Sequence, residues 1–170
     1  MRKERFETAE KEIEKLENHY PYSDLKHIYE KHKDQIYQIL YCVERIKKKK
    51  QIDDLDLEIL ENGMRNSWEE VFVNQAGMYL SEFSYKYENA KQLFYKLYED
   101  KDFKIRFRVV TTLLNEPHKK IIKDILSKAL NDKSSFVRAK AEDVIIRLRI
   151  HWKYNFIKKL SLPRLSNDTK

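Results

Sequence analysis

Glu99–Leu114, EDKDFKIRFRVVTTLL, and Asn131–Ile146, NDKSSFVRAKAEDVII, decide the fold, because they say nearly the same thing 32 positions apart. In register, Asp100 falls on Asp132, Lys101 on Lys133, Ile105 on Val137 and Arg106 on Arg138. A repeat of this length marks stacked helical hairpins, since a single hairpin cannot bury its apolar face alone. The preceding helix repeats as well: Ala90, Leu93, Phe94 and Tyr98 lie 32 positions before Ile122, Ile125, Leu126 and Leu130. Phe72 and Ala76 lie 65 positions before Val137 and Ala141, which makes a third, weaker copy.

Composition agrees with helices. The 170 residues hold only two Gly and three Pro, too few turn residues for a sheet-rich chain of this size. That length fits one hydrophobic core. One domain is therefore expected over 1–160, with 1–50 as an N-terminal helical cap, 51–160 as repeats and 161–170 as a fraying tail. The fold class expected is all-α, a short solenoid of antiparallel hairpins with about eight helices.

Working outward, Phe6, Ala9, Ile13 and Leu16 step by three and four, so a surface helix is expected from Arg2 to about Tyr20. Ser23 or Asp24 is placed to cap a long second helix running to about Lys49. Tyr29, Tyr37 and Tyr41 share a flank of it, which reads as the amphipathic edge of a core. Lys47–Lys50 complement the negative end of that helix. Asp53 and Asp54 offer caps to a third helix, with Asn62-Gly63 read as its end. Ser67 and Glu70 fit a capping box for the next. Asn115-Glu116-Pro117 breaks the chain before the helix that leads into the second copy, and the last helix begins near Ser134 or Ser135.

The helix, the turn carrying aspartate and the Val-Arg or Ile-Arg opening of the next helix resemble HEAT repeats. Asp100 precedes Arg106 by six, as Asp132 precedes Arg138. The resemblance implies that these four residues form a structural ladder, with aspartate and arginine of successive repeats meeting beside the core. It covers roughly Ser84 to Arg149 in two strong copies.

A helical wheel puts Ile105, Val109, Thr112 and Leu113 on one face of the first repeat helix and Phe107 nearly opposite. In the second copy Val137, Ala141, Val144, Ile145 and Leu148 share a face, with Ala139, Ile146 and Ile150 on the other side. Helices apolar on two sides are expected to be sandwiched. Lys104, Arg108, Lys140, Arg147 and His151 make the flank opposite the arginine ladder, with no acidic residue within a turn of Arg108, and are the candidate partner-binding residues.

Charge supports that choice. Net charge is +7, and residues 101–160 carry 16 Lys/Arg against 6 Asp/Glu, whereas residues 1–100 carry 17 against 21. Such asymmetry favours an acidic partner: a protein first, a nucleic acid second. A monomer is expected. No secretory signal and no membrane-length apolar run is visible, and Cys42, the single cysteine, allows no internal disulfide, so the expected compartment is the cytoplasm.

Catalytic patterns are missing. His27 and His32 stand five apart, off the shared helix face that zinc needs. Gly63 and Gly77, the only glycines, cannot build a phosphate loop. Cys42 sits in an apolar helix and reads as a buried small side chain. No enzyme activity, metal or cofactor is expected. The leading expectation is a protein-binding module of adaptor, inhibitor or toxin-immunity type that engages an acidic partner. The alternative is a nucleic-acid-binding protein: some HEAT-like proteins are alkylpurine DNA glycosylases with a basic, aromatic concavity, and Trp68, Trp152 and the tyrosines resemble that equipment.

Overall fold

The structure, a computed structural model, describes residues 8–22, 26–66, 70–114 and 119–148, with residues 22 and 70–74 described for the backbone alone. It is all-helical, with no strand among the described residues. In chain order the helices are α1 (Ala9–His19), α2 (Lys26–Lys49), α3 (Asp54–Asn66), α4 (Glu70–Ser84), α5 (Glu88–Tyr98), α6 (Phe103–Thr112), α7 (Lys119–Ala129) and α8 (Ser135–Arg147), with a 3-10 turn at Tyr20–Tyr22. The expectation of one domain over 1–160 meets a finer organisation: the helices group into two compact units, 1–94 and 95–170, whose boundary falls inside α5.

In unit 1, α1 packs on α2, and α2, α3 and α4 pack on one another. Thr8 caps α1, its side-chain oxygen accepting from the Lys11 amide at 3.3 Å. The long α2 buries Tyr29, Ile36, Ile39, Leu40, Val43 and Ile46, one stripe at helical spacing. Its exit is left-handed, with Lys50 at φ 52, the conformation that commonly ends a helix. The tyrosine flank grades outward: Tyr29 is buried, Tyr37 half-buried and Tyr41 exposed. The hydroxyls of Tyr29 and Tyr37 lie 2.6 Å apart, and Tyr37 donates to Glu17 at 2.7 Å, which ties α2 to α1.

The third helix corrects one expectation. Asn62-Gly63 does not end it; α3 continues to Asn66 and Gly63 is buried inside it. A Cβ at Gly63 would stand 2.6 Å from the Ala76 Cβ and 2.9 Å from the Ile39 Cδ1. Glycine is there because α2, α3 and α4 converge on that point, a tertiary reason that overrides a local turn signal.

Unit 2 contains the sequence repeat. α7 packs against α6 and α8, and α6 lies beside α8. The 32-residue register is a burial register: Ile105 with Val137, Val109 with Ala141, Thr112 with Val144 and Leu113 with Ile145 are all buried. At about 1.5–3 kcal/mol for each fully buried large aliphatic side chain, these positions dominate the stability of the hairpin stack. The sandwich expected for α8 is not seen: Ala139 and Ile146, on its second side, are exposed. Ile150, Ser23, Asp24, the Ser67 box, the Asn115–Pro117 break and the tail lie outside the described residues.

Candidate functional site

The arginines and aspartates of the repeat come together. Asp100 and Asp132 each accept from the amide two residues on, Asp102 and Ser134, at 2.9 Å. These local turns set the entry into α6 and α8. Arg106 Nη1 donates to the carbonyls of Asp100 and Lys101 at 2.8 and 3.0 Å, and Arg138 Nη1 does the same to Asp132 and Lys133 at 2.7 and 3.1 Å. Each arginine thus closes the turn that begins its own helix.

Arg106 does more. Its Nε and Nη2 donate to Asp132 Oδ2 and Oδ1 at 2.8 and 2.7 Å, a two-pronged bond from one copy to the next. The Arg106 guanidinium holds the Asp132 carboxyl below the usual aspartate range, and Asp132 raises Arg106 in return. Tyr98 Oη also donates to Asp132, at 3.5 Å, and burial pushes the Tyr98 hydroxyl up to about 12. Geometry of this kind orders a scaffold; with its acceptors filled and its arginine enclosed, it offers little to a ligand.

The candidate binding residues do not stay together. Arg108 was expected on an exposed flank, yet it is only 4% exposed, which removes it from any binding surface. It sits in the same turn as the buried Ile105 and Val109, and a long aliphatic stem lets arginine be covered there. On α8 the flank includes an acid. Asp143 accepts from Arg147 Nε at 2.8 Å and from Lys140 Nζ at 3.4 Å. Lys104 is half-buried, Lys140 half-buried and Arg147 exposed. His151 lies outside the described residues.

Aromatic side chains that the sequence reading left out complete this face. Phe103 and Phe136 stack with ring centroids 5.8 Å apart and planes 22° apart, joining the starts of α6 and α8. One turn further on, Lys140 Nζ stands 5.3 Å from the centre of the Phe107 ring. Phe136 is 66% exposed and Ile146 57% exposed. The signal for the pair was a spacing of 33, one off the repeat, so the alignment of the two copies hid it.

Unit 1 holds a different polar cluster. Arg45 Nε donates to Asp56 Oδ1 at 2.8 Å, and its Nη2 reaches the same oxygen. Asp53 and Asp56 cap each other, each accepting the other's amide, at 2.9 and 3.1 Å. Cys42 Sγ points at Asp56 Oδ1, 3.5 Å away, and burial, with that carboxylate second, pushes the thiol up to about 12. A thiol so held is a poor nucleophile. A shallow groove beside this cluster is lined by Glu10, Tyr41, Glu44, Arg45, Lys48 and Lys49. Its three cations each face a carboxylate of the same unit, Asp56, Glu44 and Asp53, so the groove has no strong field of either sign.

Among the described residues no group of three or more His, Cys, Asp or Glu side chains is placed to hold a metal, and no helix is long and apolar enough to cross a membrane. Compared with known proteins, the chain matches no family model, no curated protein and no solved structure, so the reading of this face rests on its own residues.

Proposed function

We propose that this chain is a non-enzymatic helical-repeat module that binds an acidic protein partner through the α6–α8 face, in the manner of an adaptor, an inhibitor or a toxin-immunity protein. The observation that carries this reading is the division of the basic residues in the repeat. Arg106 and Arg138 are spent on their own turns and Arg108 is buried, which leaves 13 of the 16 Lys/Arg of residues 101–160 against 6 Asp/Glu. Those among the described residues are exposed or half-buried, a cationic excess that steers and orients an acidic partner. Lys140 and Arg147 on α8 and Lys104 on α6 are the members of this excess we assign to the partner.

Nucleic-acid binding is the second reading, favoured by the lysine over the Phe107 ring. Fluorescence anisotropy with labelled polyglutamate and with a labelled duplex DNA of generic sequence, each at two salt concentrations, separates them. Salt-sensitive binding of polyglutamate with weaker binding of DNA is the expected result. Tighter binding of the duplex, with a steep loss as salt rises, assigns the face to nucleic acid.

A further inference from the structure

We infer that the acidic partner is anchored by an apolar side chain seated against Phe136 and Phe103, with carboxylates on either side of that anchor meeting Lys140, Lys104 and Arg147. This rests on the protein-binding reading above and names the contact within it.

The first argument is burial. Phe136 is the most exposed large apolar side chain among those described, although the next residue, Val137, is fully buried. A phenylalanine left in water forgoes burial that a bound apolar group would supply. The second argument is order. Stacking on Phe103 fixes the Phe136 ring before anything binds, so little side-chain freedom is lost on association.

The third argument is the pattern along α8. Phe136 heads the stripe of α8 that continues with Lys140, Asp143 and Arg147, and the exposed Ala139 and Ile146 lie on the neighbouring stripe. An apolar centre with a polar, mainly cationic rim is the composition of a protein interface. Phosphate binding draws on a run of cations, each releasing a counterion. Here Asp143 lies between Lys140 and Arg147 and bonds to both, and Glu142 is exposed next to it. The rim is basic enough to prefer carboxylates and too interrupted to track a phosphate backbone.

The test uses the full chain and three fluorescein-labelled probes: an acidic peptide of Asp and Glu with a central Leu-Phe pair, a peptide of equal length made only of Asp and Glu, and a single-stranded oligonucleotide. The wild-type chain is expected to bind the Leu-Phe peptide about tenfold tighter than the all-acidic one. Phe136→Ala should abolish that preference while leaving the all-acidic peptide unaffected, and Lys140→Glu should weaken both. If both peptides bind equally and Phe136→Ala changes neither, the anchor is wrong and the acidic-partner reading stands. If neither peptide binds, that reading fails and the anchor with it.

Three further results also overturn the anchor. Oligonucleotide binding that Phe136→Ala weakens gives the face to nucleic acid. A light-scattering mass above one chain that drops to one chain in Phe136→Ala gives it to a second copy. A fall of several degrees in the Tm of Phe136→Ala means that the chain itself covers the ring.

Discussion

The two units solve the same problem with different connectivity. Each buries an aspartate at the start of a helix, gives it a backbone amide, and neutralises it with an arginine from another helix: Asp56 with Arg45 in unit 1, Asp132 with Arg106 in unit 2. In unit 1 the partners are 11 residues apart across one hairpin, and the tie ends there. In unit 2 they are 26 apart, from one repeat copy to the next, and Arg106 also holds the turn in front of its own helix. A tie made within a hairpin secures that hairpin; a tie between copies secures the stack. The second kind is what a repeat needs, because each hairpin is stable only against its neighbour.

That contrast can be broken most directly by removing the carboxylates. Breaking one partner of a buried pair costs about 3–5 kcal/mol when the other charge is left stranded. Arg106 is only 12% exposed, whereas Arg45 is 34% exposed and free to turn to water. Asp132→Ala is therefore expected to lower stability by about 3 kcal/mol and Asp56→Ala by about 2 kcal/mol. Urea denaturation of the two variants measures this, and a larger loss for Asp56→Ala would reverse the ranking of the two ties.

A second effect belongs to unit 1 alone. In an ordinary helix, Gly→Ala gains about 1 kcal/mol of propensity. At Gly63 the added Cβ meets the Ala76 Cβ, which cannot swing away, so overpacking of about 1–3 kcal/mol outweighs that gain. Gly63→Ala is expected to lower the urea midpoint; a rise would mean that α3 and α4 separate easily.

The path from residues to these features shows what a sequence carries. The hairpins and the buried register of Val109 with Ala141 and Leu113 with Ile145 follow from periodicity, which is local information repeated, whereas the meeting of Arg106 with Asp132 was implied by the resemblance to HEAT repeats. Gly63 was misread because Asn-Gly is a strong local turn signal, while the reason for glycine lies on α2 and α4. Arg108 was misplaced because a wheel ranks positions by angle and takes no account of how far a long side chain can be covered by its neighbours. The Arg45–Asp56 pair left no pattern to find, since its spacing depends on the turn between α2 and α3. Phe103 and Phe136 escaped because helices of adjacent copies meet at a spacing set by packing, one residue off the sequence period.

Acid should act on unit 2 through its tie. The folded Asp132 carboxyl titrates below its ordinary value because Arg106 holds its charged form. In acid the unfolded chain therefore binds this proton more readily than the native chain. The stabilisation is fully present above the unfolded value, about 3.9, and is lost as pH falls through the lower folded one. Asp132→Asn is expected to flatten the fall of the urea midpoint below about pH 4. An unchanged slope would assign the acid sensitivity to other carboxylates, Asp53 and Asp143 among them, which are also shifted down.

The smallest effect on stability is expected on the α6–α8 face, where surface changes stay within about 0.5 kcal/mol, and there the functional account is most exposed. Its central claim is that the repeat divides its basic residues, with Arg106 serving the stack and Lys104, Lys140 and Arg147 serving a partner. Anisotropy of labelled polyglutamate against the triple variant Lys104→Gln, Lys140→Gln, Arg147→Gln, with its Tm measured alongside, tests this. The account predicts affinity reduced about tenfold or more at an unchanged Tm; wild-type affinity in that variant would contradict it.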